Sequence, residues 1–137
     1  MNLKKTVQKH NLYSEYVDVL NGVLQLSKRE SEVFSFLLAA DAQGEHLNIN
    51  ARHIRSALRQ HLGISESNLS LYLSTLKKLN LIVRNTDRKW VINNMMRPTI
   101  YELKREDESV EKLVEVTVTL VVDEDSRNNY KEFSQEV

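Results

Sequence analysis

The residues best suited to chemistry in this sequence are lysines and arginines, most of which lie between residues 50 and 105, and the hydroxyl and amide residues among them. That stretch carries eleven lysines and arginines against three acidic residues, a balance of +8, whereas residues 106–137 have a balance of −7. The two blocks offset each other in a chain of net charge zero. A basic surface beside an acidic tail indicates a binding site for a polyanion. An unevenly charged but merely solvated surface is the alternative.

Residues 66–79 have the spacing of a helix with one apolar and one polar side. The apolar side consists of Leu69, Tyr72, Leu73, Leu76 and Leu79. On the other side, small hydroxyls near a helix start approach base edges without clashing, and an asparagine bonds adenine through two atoms. We therefore predict base-reading roles for Ser67, Asn68, Ser70, Leu71 and Ser74. Leu71 would contact a thymine methyl group, or else be one more core residue under a wing or a partner.

Basic residues flank this helix on both sides in the sequence. One set shares a face of the preceding predicted helix, and another surrounds a turn that follows. Cations so placed contact phosphates, which sets affinity and register and not sequence choice. The predicted DNA-backbone residues are Arg52, Arg55, Arg59, Thr75, Lys77, Lys78, Arg84, Arg88 and Lys89. A solvated helix face is the alternative for the three arginines 52, 55 and 59, and Trp90 is interpreted as a plug under the wing and not as a base-stacking residue.

Catalytic and cofactor chemistry finds little support. The four histidines lack zinc-site spacing, the three glycines are isolated, and there is no cysteine. We predict no enzyme activity, no catalytic residue, no metal site and no cofactor. No apolar run approaches the roughly 20 residues that span a bilayer, and residues 1–10 do not resemble a secretory signal. A soluble, cytoplasmic protein without membrane contact is expected.

The elements that must position these residues start at Ser27, where Ser27-Lys28-Arg29-Glu30 forms a capping box. A first helix follows, with its apolar stripe at Val33, Phe36, Leu37 and Ala40, widened by Phe34 and Leu38. Residues 46–49 would form a short strand, and Asn50 would cap a second helix that runs to Leu62. Gly63 suits the left-handed position after this helix, and Ser65 would cap the third. Two helices joined by so tight a turn make a helix-turn-helix.

Strand-like segments surround these helices. Leu81–Arg84 and Lys89–Ile92 flank the turn residues 85–88 and would form a β-wing. In the N-terminal arm, Asn21-Gly22 predicts a hairpin over residues 15–26, and a helix through Tyr13, Tyr16, Val17 and Leu20 that ends at Gly22 is the alternative. In the C-terminal arm, residues 99–104 alternate weakly, and residues 113–122, rich in Val and Thr, predict a strand. The polar, acidic residues from 123 onward predict a flexible tail.

A family resemblance is consistent with this arrangement. From Leu26 to Asn93, and most closely over "Ile-Ser-Glu-Ser-Asn-Leu-Ser-Leu-Tyr-Leu-Ser-Thr-Leu-Lys-Lys-Leu-Asn-Leu-Ile", the chain resembles winged helix-turn-helix proteins. With "Tyr-Val-Asp-Val-Leu", "Leu-Ser-Lys-Arg-Glu" and "Trp-Val-Ile-Asn", it is also similar to winged-helix replication initiators of small bacterial plasmids and phages. It departs from the initiators at Asn94, where they usually have proline, and in the three arginines of its second helix.

These inferences converge on an α+β protein. A winged helix-turn-helix domain over residues 27–97 would follow an N-terminal arm (1–26) and precede a β-rich arm (98–122) and an acidic tail (123–137). The expected function is sequence-specific binding of double-stranded DNA by a homodimeric transcriptional regulator, with the third helix in the major groove and the wing on the backbone. The two arms would form the dimer sheet. A replication initiator that binds origin repeats is one alternative, and a module that contacts a protein partner through the C-terminal arm is another.

Overall fold

A computed structural model describes residues 3–42 and 47–124 and has mixed α+β architecture. Within these residues the helices are α1 (Leu12–Leu24), α2 (Lys28–Asp41), α3 (Arg52–Leu62) and α4 (Glu66–Lys78). The strands are β1 (Ile82–Arg84), β2 (Trp90–Ile92), β3 (Ile100–Lys104) and β4 (Val110–Val114), with short 3₁₀ turns at Lys9–Asn11 and Asn94–Met96. One unit comprises Met1–Arg97, and a second comprises Pro98–Val137.

The N-terminal segment is a helix, so the hairpin predicted over residues 15–26 is wrong. Tyr16, Val17 and Leu24 are buried at helical spacing, which places one apolar stripe of α1 against α2. The helix also continues past Gly22, where the alternative interpretation ended it. It stops at Gln25, which adopts a left-handed φ of 57° and donates its backbone N–H to the Asn21 carbonyl. Helical burial therefore outweighed the Asn-Gly turn signal.

Helix α2 begins as its sequence predicts. The Ser27 hydroxyl accepts a hydrogen bond from the Glu30 backbone N–H at 3.2 Å, and the Glu30 carboxylate accepts one from the Ser27 N–H at 2.8 Å. Its far end is held by Asp41, whose nearly buried carboxylate accepts hydrogen bonds from Arg97 Nε at 2.6 Å and Nη2 at 3.2 Å. This ion pair ties α2 to the last residue of the first unit.

The turn between α3 and α4 follows the predicted pattern. Gly63 has a φ of +63°, and its N–H donates to the Arg59 carbonyl at 2.8 Å. Ser65 accepts from the Asn68 backbone N–H at 3.2 Å and so caps α4. The predicted cap of α3 is wrong, because Ala51 occupies that position and makes no side-chain cap. Asn50 instead lies one residue earlier, near Arg55.

Strands β1 and β2 form an antiparallel pair in which Ile82 faces Ile92 and Arg84 faces Trp90. Their base is fastened to the end of α4, since the Asn93 side-chain amide donates to the Asn80 carbonyl at 2.8 Å. The short strand predicted at 46–49 is not present over 47–49, and His46 lies outside the described residues. Ile49 makes a single strand-like contact, donating its N–H to the Trp90 carbonyl at 2.8 Å.

The core of the first unit lies between the helices and the base of β1 and β2. Its most fully buried side chains include Val17, Val33, Phe34, Leu37, Leu38, Ile49, Leu58, Leu69, Leu73, Leu76, Leu81, Ile82 and Ile92. Burial of each such side chain contributes about 1.5–3 kcal/mol. The order of α2, α3, α4 and the β1–β2 pair is compatible with a winged helix.

The described part of the second unit contains a hairpin of β3 and β4, with Ile100 opposite Val114 and Lys104 opposite Val110. The predicted strand over residues 113–122 is wrong in its bounds, because β4 starts at Val110 and ends at Val114. Residues 115–122 have no assigned strand structure. Of the predicted acidic tail, residues 125–137 lie outside the described part of the chain.

Candidate nucleic-acid interface

The outer face of α4 carries the predicted base-reading residues. Ser67, Asn68 and Ser70 are exposed, and Leu71 is 65% exposed. Ser74, one turn further along, is half-buried. On the opposite side of the helix, Leu69, Leu73 and Leu76 are buried in the core. Leu71 therefore projects away from the core of its own unit, on an otherwise polar face of α4.

Arg55 joins α3 to the start of α4. Its Nε donates to Glu66 Oε1 at 2.8 Å, and its Nη2 donates both to the same carboxylate and to the Ser70 hydroxyl, the latter at 2.8 Å. Its side chain retains only 20% of its exposure. The predicted phosphate ligand Arg55 is thus held between the two helices, and Ser70 faces α3 at this point of contact.

Glu66 lies between two arginines, with Arg59 Nη1 at 3.6 Å from its second carboxylate oxygen. Sequence reasoning overlooked this residue. The position of Glu66 in the sequence could have predicted this role. An acidic residue in the first turn of a helix is favoured by the helix dipole, and Glu66 closely follows a basic helix. Arg59 remains 45% exposed, and Arg52 on the first turn of α3 is exposed as well.

Lys77 covers the only tryptophan of the chain. Its Nζ lies 4.4 Å from the centre of the Trp90 ring, within the range of a cation–π contact. Partial burial, with repulsion from Arg55 as a second cause, lowers the pKa of Lys77 below its ordinary value. Trp90 is half-buried. This contact spans α4 and β2, in agreement with a packing role for the indole.

Thr75 lies on the side of α4 that faces α2. Its hydroxyl donates to the Leu71 carbonyl at 3.4 Å. Burial acts to raise the pKa of Glu30, but favourable interactions with the Ser27 backbone N–H, the Thr75 hydroxyl and the Ser27 hydroxyl outweigh it, so that this pKa lies below its ordinary value. Lys78, near the end of α4, is exposed.

The turn between β1 and β2 carries the remaining cations. The Asn85 side-chain oxygen accepts from the backbone N–H of Asp87 at 3.0 Å and of Lys89 at 2.9 Å, which fixes the turn. Arg88 adopts a left-handed φ of 62°, and Arg84 Nε approaches its carbonyl at 3.5 Å. Arg84, Arg88 and Lys89 are all exposed. An ordered turn therefore displays three cations.

The predicted residues thus divide into groups. An exposed outer group consists of Ser67, Asn68, Leu71, Lys78, Arg52, Arg59, Arg84, Arg88 and Lys89. An inner group is engaged in contacts within the first unit and consists of Arg55, Ser70, Thr75 and Lys77. Ser74 is half-buried between them. The outer group offers small polar atoms on one helix and cations on both sides of it.

The described residues, 3–42 and 47–124, show neither a metal cluster nor a membrane-spanning helix. No group of three or more His, Asp or Glu side chains there is arranged to hold a metal ion. None of the helices within the same ranges combines the length and apolar character needed to cross a membrane.

Comparison of the chain with protein-family models, with curated proteins and with solved structures finds no match.

Proposed function

We propose that this protein is a winged helix-turn-helix protein that binds double-stranded DNA in a sequence-specific manner. The observation that carries the proposal is the exposed outer face of α4, where Ser67, Asn68 and Leu71 stand free of the core directly after a capped helix start. A capped helix with small polar side chains on its first turns suits the major groove, whose base edges carry distinct donor and acceptor patterns.

In this proposal the bases and the phosphates are contacted by different residues. Asn68 bonds a base edge, with Ser67, Ser74 and the Leu71 side chain beside it. The phosphate contacts come from the exposed cations on either side, which are Arg52 and Arg59 on α3, Lys78 on α4, and Arg84, Arg88 and Lys89 on the wing. Such contacts set the orientation of the protein on the duplex.

Arg55 has a positioning role in this proposal. Since its guanidinium is committed to Glu66 and Ser70, it fixes the entry of α4 relative to α3. Lys77 acts in the same way between α4 and the wing through its contact with Trp90. Ser70 then serves as the acceptor for Arg55, and base reading falls to the outer residues.

We assign the DNA binding to transcriptional regulation in the cytoplasm. Replication initiation uses the same groove-facing helix, and the two functions differ in the arrangement of their sites. Selection of bound duplexes from a random pool distinguishes them, because inverted half-sites indicate a regulator and directly repeated elements indicate an initiator. A folded protein that retains no duplex at low salt would overturn both, and would leave a protein-interaction module.

A matched set of variants tests the residue roles. Asn68→Ala should reduce discrimination between the selected site and random duplex by about 1–3 kcal/mol, the usual value of one bidentate base contact. Lys89→Ala should weaken binding to both duplexes alike and reduce the slope of log K against log salt by about 0.9. Lys9→Ala removes the same charge from the 3₁₀ turn before α1 and is the control, with neither effect expected. Equal losses on both duplexes for Asn68→Ala would show that α4 does not read the bases.

A further inference from the structure

The segment from Val110 to Val122 keeps the pattern of one long strand, although β4 ends at Val114. Its even-numbered positions are apolar except for Lys112, and they comprise Val110, Val114, Val116, Val118, Leu120 and Val122. Its odd-numbered positions are mostly polar and comprise Glu111, Leu113, Glu115, Thr117, Thr119 and Val121. Because successive side chains of a strand point to opposite faces, the extended segment has one apolar face.

β4 ends where its partner strand ends. Val114 faces Ile100, so the next two residues would face Thr99 and Pro98. Proline has no N–H to donate and is excluded from the interior of a ladder. The β3–β4 pairing therefore stops, while the alternating apolar pattern of the sequence continues to Val122.

The continuation is exposed beyond Val116, which is itself half-buried. Val118 is 50% exposed, Leu120 88% and Val122 85%. Within the described ranges, residues 115–122 have no strand partner, and β4 pairs along one edge only. A two-stranded hairpin is marginally stable alone in water, and an apolar strand with open edges is a template for another strand.

We propose that this segment pairs with the same segment of a second copy of the chain. The two segments run antiparallel with Val116 on the two-fold axis, and they form a four-stranded sheet in the order β3, β4, β4 of the partner, β3 of the partner. The proposal concerns the second unit alone and does not depend on DNA binding by the first.

Full pairing of residues 110–122 selects this register, and symmetry and charge agree with it. In a symmetric antiparallel pair a residue must lie on the axis, since directly opposed side chains share a face. An axis through Glu115 would place two carboxylates opposite each other, and an axis through Leu113 would oppose Glu111 to Glu115.

With Val116 on the axis, every residue from 110 to 122 has a partner and no like charges are directly opposed. Val110 then faces Val122, and Val114 faces Val118, each pair occurring twice. Lys112 faces Leu120, whose apolar side chain packs along the lysine stem. The apolar faces of the two segments thus form one continuous surface.

Sedimentation velocity over a concentration series tests the pairing in the full chain. The mass should rise from 16.0 kDa toward twice that value. Val118→Lys places a charge on the apolar face twice per dimer, next to Lys112, and should raise the dissociation constant about tenfold or more. Thr119→Lys adds the same charge on the polar face, near Glu111 and Glu115, and should leave the dissociation constant unchanged or lower.

Neither variant alters the β3–β4 pairs, since both positions lie beyond Val114. A constant mass of one chain would overturn the proposal. So would equal weakening by both substitutions, or growth of the assembly past two chains.

Spin labels measure the register directly, and the absence of native cysteine makes single-site labelling clean. Labels at Thr119→Cys and Val121→Cys lie on the polar face. With Val116 on the axis, the backbone positions of the two copies should be about 20 Å apart at 119 and about 34 Å apart at 121, from 3.4 Å per residue. An axis at Val118 would give about 7 Å and 20 Å instead, and that result would overturn the register. If the dimer forms but no duplex is selected, only the proposed DNA binding fails.

Discussion

Two arginines on one face of α3 should respond differently to the same substitution. Arg55 donates to Glu66 and Ser70 from a side chain that is only 20% exposed, whereas Arg59 is 45% exposed and lies 3.6 Å from the same carboxylate. The first contact set positions α4, and the second is a loose surface pair. Arg55→Ala and Arg59→Ala therefore separate a positioning role from a phosphate contact.

The exposure of each ion pair sets the loss of unfolding free energy expected from its removal. Hydrogen bonds to charged groups contribute about 1.5–3 kcal/mol where they are shielded, and exposed ion pairs about 0–1 kcal/mol. Glu66 is half-exposed, so the contacts of Arg55 belong between these ranges. We expect Arg55→Ala to lower the free energy of unfolding by about 1–2 kcal/mol, and Arg59→Ala to lower it by less than about 0.5 kcal/mol.

The two variants should also differ in how they change DNA binding: one should lose affinity for all duplexes, and the other should lose discrimination between them. Arg59→Ala removes one of the proposed phosphate contacts, so it should weaken specific and random duplexes equally and reduce the salt slope by about 0.9. Arg55→Ala loosens the entry of α4 and should reduce mainly the discrimination between the two duplexes. Urea unfolding followed by circular dichroism measures the free energy of unfolding. Fluorescence anisotropy over a KCl series measures the affinity for each duplex and its salt slope.

Specific results would refute this reasoning. If the two variants had equal stability, the contacts of Arg55 would contribute no more than an exposed pair. If Arg55→Ala also reduced the salt slope by a full contact while discrimination stayed intact, Arg55 would be a phosphate ligand. The positioning role would then be wrong.

Three further predictions concern the fold. Gly22 lies within α1 and has nothing within 4 Å of an added Cβ, so Gly22→Ala should stabilise the protein by about 0.5–1 kcal/mol in urea unfolding. Gly63→Ala should destabilise it, because Gly63 has a φ of +63°. A loss of stability in Gly22→Ala would contradict the helical assignment of this segment. The pKa of Glu30 is lowered in the folded protein, so its ionised carboxylate stabilises the fold above the ordinary pKa of 4.5, and this contribution is lost as the pH falls through the folded-state pKa. Glu30→Gln should therefore flatten the acid side of a plot of unfolding free energy against pH. An unchanged acid side would refute this. Asp41→Ala should lower the free energy of unfolding by about 1–3 kcal/mol, because it leaves the partly buried Arg97 without its carboxylate partner. Thermal or urea unfolding measures this loss. A loss below about 0.5 kcal/mol would show that the pair is no more than a surface contact.

The sequence predicted best where several local signals coincide. At α2 the capping box at Ser27 is followed closely by the apolar stripe that begins at Val33, and between α3 and α4 a left-handed glycine lies two residues before a capping serine. These signals act within a few residues, so no knowledge of tertiary structure is needed to interpret them. The prediction failed at Asn21-Gly22, because the turn preference of this dipeptide competes with burial of Tyr16 and Val17 against α2, which is a long-range effect.

The candidate site was predicted less completely for a related reason. Exposure of Ser67, Asn68 and Leu71 follows from helical spacing alone, since they lie opposite the apolar stripe. The engagement of Arg55 with Glu66 depends on how α3 crosses α4, which spacing along one helix does not encode. The end of β4 likewise depends on Pro98, which lies just before the opposite strand β3, and the Val and Thr content of residues 115–122 carries no information about it.

The position of Trp90 also provides an intrinsic fluorescence probe. It is the only tryptophan in the sequence, and its ring on β2 lies 4.4 Å from the Lys77 ammonium of α4. Indole emission is sensitive to a nearby charge, so the unlabelled chain should signal any event that separates Lys77 from the ring. Selective excitation of tryptophan would follow melting of the first unit alone, since Pro98–Val137 contains none, and tyrosine emission would have to supply the signal for the second.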